Sequence, residues 1–119
     1  MDLQEVMKQK SFAILGDTLN PEKYAYQIKA AMLEAGYGVY AVGRELPSLN
    51  AIPGDIDIID LCIHPGKGLK LLQENRKPFQ AVVIQPGADS PELISYLEEH
   101  RIPYLQGCLL QGLKAYPRA

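Results

Sequence analysis

Apolar residues along this chain fall into short unbroken runs separated by stretches with helical spacing. Phe12 to Leu15 is an apolar run closed by Gly16, the pattern of a buried strand. Asn20, Pro21 and Glu22 predict a helix start, with Asn20 as N-cap and Pro21 in the first turn. Ile28, Ala31, Met32 and Ala35 then recur at helical spacing, and Gly36 is placed to end that helix as a C′ glycine. Val39 to Val42 predicts the second strand. The link "GRELPSLNAIPGD" carries two prolines, which leave room for a turn or two of helix at most. Ile56 to Ile63 is the most strand-like stretch. A helix from Gly66 to Asn75 and a fourth strand from Ala81 to Gln85 follow. Ser90 and Pro91 open a helix running through His100, and Ile102 to Gln106 is the fifth strand. The opening "MDLQEVMKQK" reads as a short amphipathic helix, and the tail from Gly107 shows no clear pattern.

Strands alternating with helices predict an α/β fold with helices on both faces of a parallel sheet. Right-handed crossovers restrict its topology, and the expected strand order is 2-1-3-4-5. The chain then reverses beside strand one. A ligand crevice is expected outside the C-terminal ends of strands one and three. Those ends are followed by "GDTLNP" and "HPGKG". Each combines small or turn-forming residues with a nearby cation, Lys23 in the first case and Lys67 in the second.

Composition narrows the picture. A length of 119 residues with 47% hydrophobic content predicts one domain with a real core. The formal net charge of −2 gives no general attraction to nucleic acid or anionic membranes, so neither is an expected partner. Any anion must be held by a local site. Apolar runs are far shorter than the roughly 20 residues of a membrane span. The first residues lack the pattern of a secretion signal. Cys62 and Cys108 lack the spacing of a metal knuckle or a redox pair. A cytoplasmic protein with reduced thiols and no metal is expected.

Several residues at the predicted crevice carry candidate chemistry. Gly16, Asp17 and Thr18 form a turn whose backbone N–H groups and hydroxyl suit a phosphate at a helix N-terminus. The single acid, Asp17, repels a close phosphate and points instead to a hydroxyl or to solvent. Lys23 suits a phosphate and Tyr24 a covering role. Gly43 lets backbone approach a ribose, and Arg44 offers a planar fork for a phosphate or a face for a base. His64 and Pro65 sit in the second crevice loop, and Gln85, Pro86 and Gly87 close a wall. His64 lacks an evident carboxylate orienter and nucleophile, so ligand contact is expected of it rather than catalysis. For each of these, an ordinary turn or a solvated side chain is the competing reading. Cys62, inside a strand, reads as a small core residue.

These segments, taken in order, resemble a known family. Gly16 with "DTLNPEKYAY", the strand "VYAV", the segment "IPGDIDIIDL", the loop "HPG", the strand "VVIQPGAD" with Gln85-Pro86-Gly87, and Cys108 follow one another from Ser11 onward. The chain is similar to small stand-alone CoA-binding proteins with a Rossmann-like fold, relatives of the CoA-binding domain of the succinyl-CoA synthetase alpha chain. The resemblance implies a three-layer sandwich that binds CoA, or a related adenine nucleotide, without chemistry of its own. It would set the pyrophosphate at the Gly16 turn, the 3′-phosphate near Arg44 and the pantetheine arm past Gln85–Gly87. Cys108 would then face the CoA thiol or pack inertly. Two departures stand out. Gly43-Arg44 occupies the place of an Asn-Pro pair, and no extra strand precedes the "IP" turn.

Two other classes compete. One is a small enzyme using CoA or another nucleotide, which lacks a coherent acid–base set here. The other is a regulatory or protein-interaction domain with a degenerate nucleotide site, so a protein partner is left open. A receiver domain would need acidic residues that only Asp17 supplies, and a flavodoxin a richer Ser/Thr loop than Thr18 alone.

Overall fold

The structure, a computed structural model, describes residues 1–117. In chain order it contains α1 (Leu3–Val6), β1 (Ser11–Gly16), α2 (Tyr24–Glu34), β2 (Gly38–Gly43), a 3₁₀ turn (Leu49–Ala51), β3 (Ile58–Leu61), α3 (Pro65–Glu74), β4 (Ala81–Ile84), α4 (Pro91–Glu99), β5 (Tyr104–Gln106) and α5 (Leu109–Ala115). The five strands form one parallel sheet in the order β2-β1-β3-β4-β5, as the alternating pattern predicts.

Alternation along the strands sorts the core into two layers. Ala13, Leu15, Ile59, Leu61, Val82 and Ile84 face one side, against Leu72 of α3 and Leu93 and Leu97 of α4. Phe12, Ile14, Ile58 and Val83 face the other, against Ile28 and Met32 of α2 and Leu109 of α5. Both faces are covered, which is why the strands read as apolar runs rather than alternating ones.

Local chemistry sets the element ends. Helix α2 closes as expected: Gly36 takes φ 92°, its N–H bonds Leu33 O, and Tyr37 N–H bonds Met32 O. These two bonds satisfy carbonyls that the last turn leaves open. The start of α2 departs from expectation. The helix begins at Tyr24 rather than at Pro21, and its N-cap is Lys23, not Asn20. The physical cause is competition from side chains. Asp17 Oδ1 accepts from the N–H groups of Leu19 and Asn20, and Asn20 Oδ1 accepts from Glu22 N–H. Short polar side chains that bond nearby backbone favour turns over helix. By contrast, Ser90 caps α4 through Leu93 N–H, and Pro91 occupies the first turn.

Strands β3 and β5 are shorter than the sequence pattern predicts. The ladder contacts run one residue further, with Asp57 N–H bonding Ser11 O and Cys62 N–H bonding Leu15 O. The patternless tail forms α5, which buries Leu109 and brings Gly112 against Met7. Between β2 and β3 the described chain holds one isolated bridge, Val42 to Leu46, and the 3₁₀ turn.

Candidate functional site

The chain reverses direction between β2 and β3, on either side of β1, and a cleft of about 820 Å³ opens above the strand ends there. Its size falls within the range of small-molecule sites.

Gly16 and Gly43 form its narrowest support. They are register partners at the ends of β1 and β2, with φ of 157° and 127°. A Cβ on Gly16 would collide with Cys62 O and stand 2.9 Å from Ala25 Cβ, and one on Gly43 would stand 3.0 Å from Gly16 O. Two strand ends and the first turn of α2 therefore meet with no room for a side chain.

Asp17 and Arg44 lie on the wall above these glycines. Asp17 Oδ1 holds the Leu19 and Asn20 amides, while Oδ2 is 3.8 Å from Arg44 Nη2. Lys23 lines the same wall, and its neighbour Tyr24 is 67% exposed at the cleft. No side chain caps the first turn of α2, so its leading N–H groups are left for another acceptor.

Thr18 does not line the cleft. It is buried, and its hydroxyl donates to Glu45 Oε2 at 2.5 Å. Glu45 also accepts from Lys29 Nζ of α2 at 2.8 Å. Lys29 and Thr18 together hold the Glu45 carboxyl below the usual carboxylate range. The expected phosphate donor is thus turned away from the crevice and ties the loop after β1 to the loop after β2. Sequence reading did not find this arrangement, because its members are far apart in the chain.

The opposite wall comes from α3, β4 and α5. His64 caps α3, with Nδ1 accepting from Gly66 N–H at 3.1 Å, which leaves Nε2 as the nitrogen for other partners. Pro65 and Lys67 line the cleft beside it. Gln85, Pro86 and Gly87 line it from the end of β4. Cys62, read from sequence as a core residue, is half-buried and also lines the cleft, because it lies one residue past the end of β3. Cys108 and Gln111 complete this wall, contributed by the tail that carries no sequence pattern.

Beneath the wall lies an unexpected acid. Asp60 sits in β3 between Ile14 and Val83, fully buried. Burial pushes its carboxyl up to about 7, against a weaker downward pull from Gln85. Among the described residues, neither Asp60 oxygen nor Gln85 Nε2 makes a hydrogen bond of normal geometry. A single acid within an apolar strand carries no sequence signal beyond its position.

The charge of the cleft opposes that of the chain. Lys23, Arg44 and Lys67 face one carboxylate, Asp17, whereas the whole chain is formally −2. Among the described residues no three His, Cys, Asp or Glu side chains converge as a metal site, and no helix is long and apolar enough to cross a membrane.

Comparison with known proteins agrees with this architecture. Among solved structures, the chain is similar to a conserved hypothetical protein from Pyrococcus furiosus, at 28% identity and a TM-score of 0.79, covering 87% of this chain and 98% of the other. A protein from Thermus thermophilus is 25% identical with a TM-score of 0.80, covering 97% and 98%. A hypothetical protein from Pyrococcus horikoshii shares the fold at 24% identity, with a TM-score of 0.84 over 96% and 89%. No curated protein matches the sequence. The family described as a CoA binding domain matches residues 10–113. This α/β chain, Rossmann-like in its sheet order, therefore belongs to the CoA binding domain family.

Proposed function

We propose that this protein binds CoA, or a closely related adenine nucleotide, in the cleft above β1 and β3, and carries out no reaction on it. The observation that carries the reading is the reversal of charge at the cleft: three cations face one carboxylate in a chain of net charge −2. A polyanionic ligand gains there what the rest of the surface withholds. Membership of the CoA binding domain family supports the same class of ligand.

Each wall then has a part. The uncapped first turn of α2 and Lys23 receive the pyrophosphate, helped by the positive end of the helix dipole. Arg44, whose side chain is 66% exposed, takes the 3′-phosphate of the ribose. The pantetheine arm leaves along Gln85, Pro86 and Gly87. His64 and Pro65 border the phosphates, and Tyr24 covers them. Thr18 supports this arrangement from behind, through Glu45, rather than by touching the ligand.

Calorimetric titration with CoA, NAD and ATP is the direct test. CoA is expected to bind most tightly. Tighter binding of NAD, or no binding of any of the three below millimolar concentration, overturns the reading.

A further inference from the structure

Asp60 and Gln85 are buried polar residues that phosphate binding does not use. Both belong to the sheet face that carries α2 and α5. Asp60 alternates with Ile58 along β3, and Gln85 continues the series Ala81 and Val83 along β4. The two strands are paired, with Asp60 opposite Val83, two residues before Gln85. The backbone of Gln85 is fixed at both ends: its N–H bonds Leu61 O, and its carbonyl accepts from Ala88 N–H. Only the side-chain amide is left to turn.

The two ends of that amide have different surroundings. Nε2 is shut off from solvent and stands toward the Asp60 carboxyl, which Gln85 draws down against the stronger effect of burial. Oε1 has no hydrogen-bond partner among the described residues, yet it is not enclosed as Nε2 is. Gln85 lines the cleft, so Oε1 is the end that reaches it. A carbonyl oxygen only accepts, and this stretch of wall therefore suits a donor.

The orientation depends on the proton of Asp60. An ionised carboxylate can only accept, so it takes Nε2–H and holds Oε1 outward. A protonated carboxyl can also donate to Oε1, which lets the amide turn. Burial brings the Asp60 carboxyl up to about 7, so both forms are populated near neutrality. The other titratable groups on this side do not change charge there. Cys62 is held protonated by burial, Cys108 at the start of α5 is a neutral thiol's neighbour to it, and the Tyr37 hydroxyl donates to Met7 O. The helices packed on this face turn their charges away: Glu5, Lys23, Glu34 and Lys114 are exposed, and Lys29 is paired with Glu45.

We infer that Asp60 is a positioning residue of the cleft, which in its ionised form holds the Gln85 amide with its oxygen presented to an N–H donor of the ligand. The inference rests on the CoA reading and deepens it. The pantetheine arm of CoA carries amide N–H groups. Adenosine 3′,5′-bisphosphate shares the nucleotide end of CoA but lacks the arm. Ionisation of Asp60 should therefore favour the first ligand and not the second.

Calorimetric titration of the wild-type protein and of Asp60→Asn with both ligands, from about pH 6 to about pH 8.5, tests this. The ligand's own titration is common to the two proteins, so the ratio of their affinities isolates Asp60. For CoA, the ratio of wild-type to variant affinity should rise about threefold or more with pH, the worth of one neutral hydrogen bond. For adenosine 3′,5′-bisphosphate it should not rise. Gln85→Met keeps the acid and removes the amide. It should show the same rise against wild type, which keeps the test decisive if Asp60→Asn folds poorly. In the free wild-type protein, the NMR resonances of the Gln85 side-chain amide should move over the same pH range, and in Asp60→Asn they should stay fixed. Equal pH profiles of the ratio for the two ligands, or amide resonances that ignore pH, overturn the inference. Binding of CoA with such profiles removes this inference alone, and absence of CoA binding at every pH removes the CoA reading with it.

Discussion

Arg44 Nη2 stands 3.8 Å from Asp17 Oδ2, across the point where β1 and β2 end side by side. Arg44 is 66% exposed and Asp17 25%, and at 3.8 Å a partly solvated pair of this kind stabilises a protein by about 0–1 kcal/mol. A phosphate that binds Arg44 therefore displaces little, and a charged hydrogen bond is worth roughly 1.5–3 kcal/mol. Arg44→Ala should weaken CoA by roughly ten- to a hundredfold and dephospho-CoA much less. Calorimetry on both ligands measures the difference, and equal losses would place Arg44 away from the 3′-phosphate.

Thr18→Val preserves shape but removes the hydroxyl that reaches Glu45. Glu45 keeps Lys29 and is in part solvated, so the net cost should be about 1 kcal/mol of stability. Affinity for CoA should fall less than in Arg44→Ala, because Thr18 acts on the loop and not on the ligand. Urea unfolding and titration of the same variant test both halves. A larger loss of affinity than in Arg44→Ala would return the hydroxyl to the phosphate.

Asp60 makes stability depend on pH in an unusual direction. Its carboxyl titrates at about 7 in the folded chain, against 3.8 as the ordinary value. Between these values the native state holds a proton that the unfolded state has lost. Asp60 thus contributes falling stability as pH rises from about 4 to about 7, and little further change above that. The swing is on the order of 4 kcal/mol, since each tenfold change in proton affinity is worth about 1.4 kcal/mol. Asp60→Asn should abolish this slope and be the more stable protein near pH 8. Urea midpoints of the two proteins across that window decide it, and parallel pH profiles would refute the assignment.

Gly16→Ala and Gly36→Ala should differ sharply, although both residues have positive φ. A Cβ at Gly36 meets nothing within 4 Å, so the cost there is the backbone strain alone, about 1 kcal/mol. At Gly16 the Cβ meets Cys62 O and Ala25, and overpacking adds about 1–3 kcal/mol to the same strain. Thermal denaturation should rank Gly16→Ala well below Gly36→Ala, and CoA binding should survive only the latter. Equal melting temperatures would show that the strand ends have slack.

Much of the architecture was legible because it rests on local pattern. Apolar runs marked β1 and β4, Ser90 and Pro91 marked the start of α4, and Gly36 marked the end of α2. The order of the strands followed from alternation and handedness. The start of α2 was misplaced because Asn20 looks like a cap, while Asp17 and Asn20 themselves draw the backbone into turns. The cleft loops were legible as loops, but not the direction of each side chain within them. Thr18 turns inward because Glu45, 27 positions away, waits behind it. Asp60 and Gln111 depend on how sheet layers and the tail come together, which no local pattern records, and Cys108 was expected near the cleft only through the resemblance.

The Thr18–Glu45–Lys29 linkage has a kinetic consequence. It fastens the loop after β1, the loop after β2 and the body of α2 to one another before any ligand arrives. Binding then has little disorder to remove from this side of the cleft, and preorganisation of this kind strengthens affinity without adding contacts. Association at this wall need not wait for a closing step, so its rate is set by diffusion and by the field of the three cations.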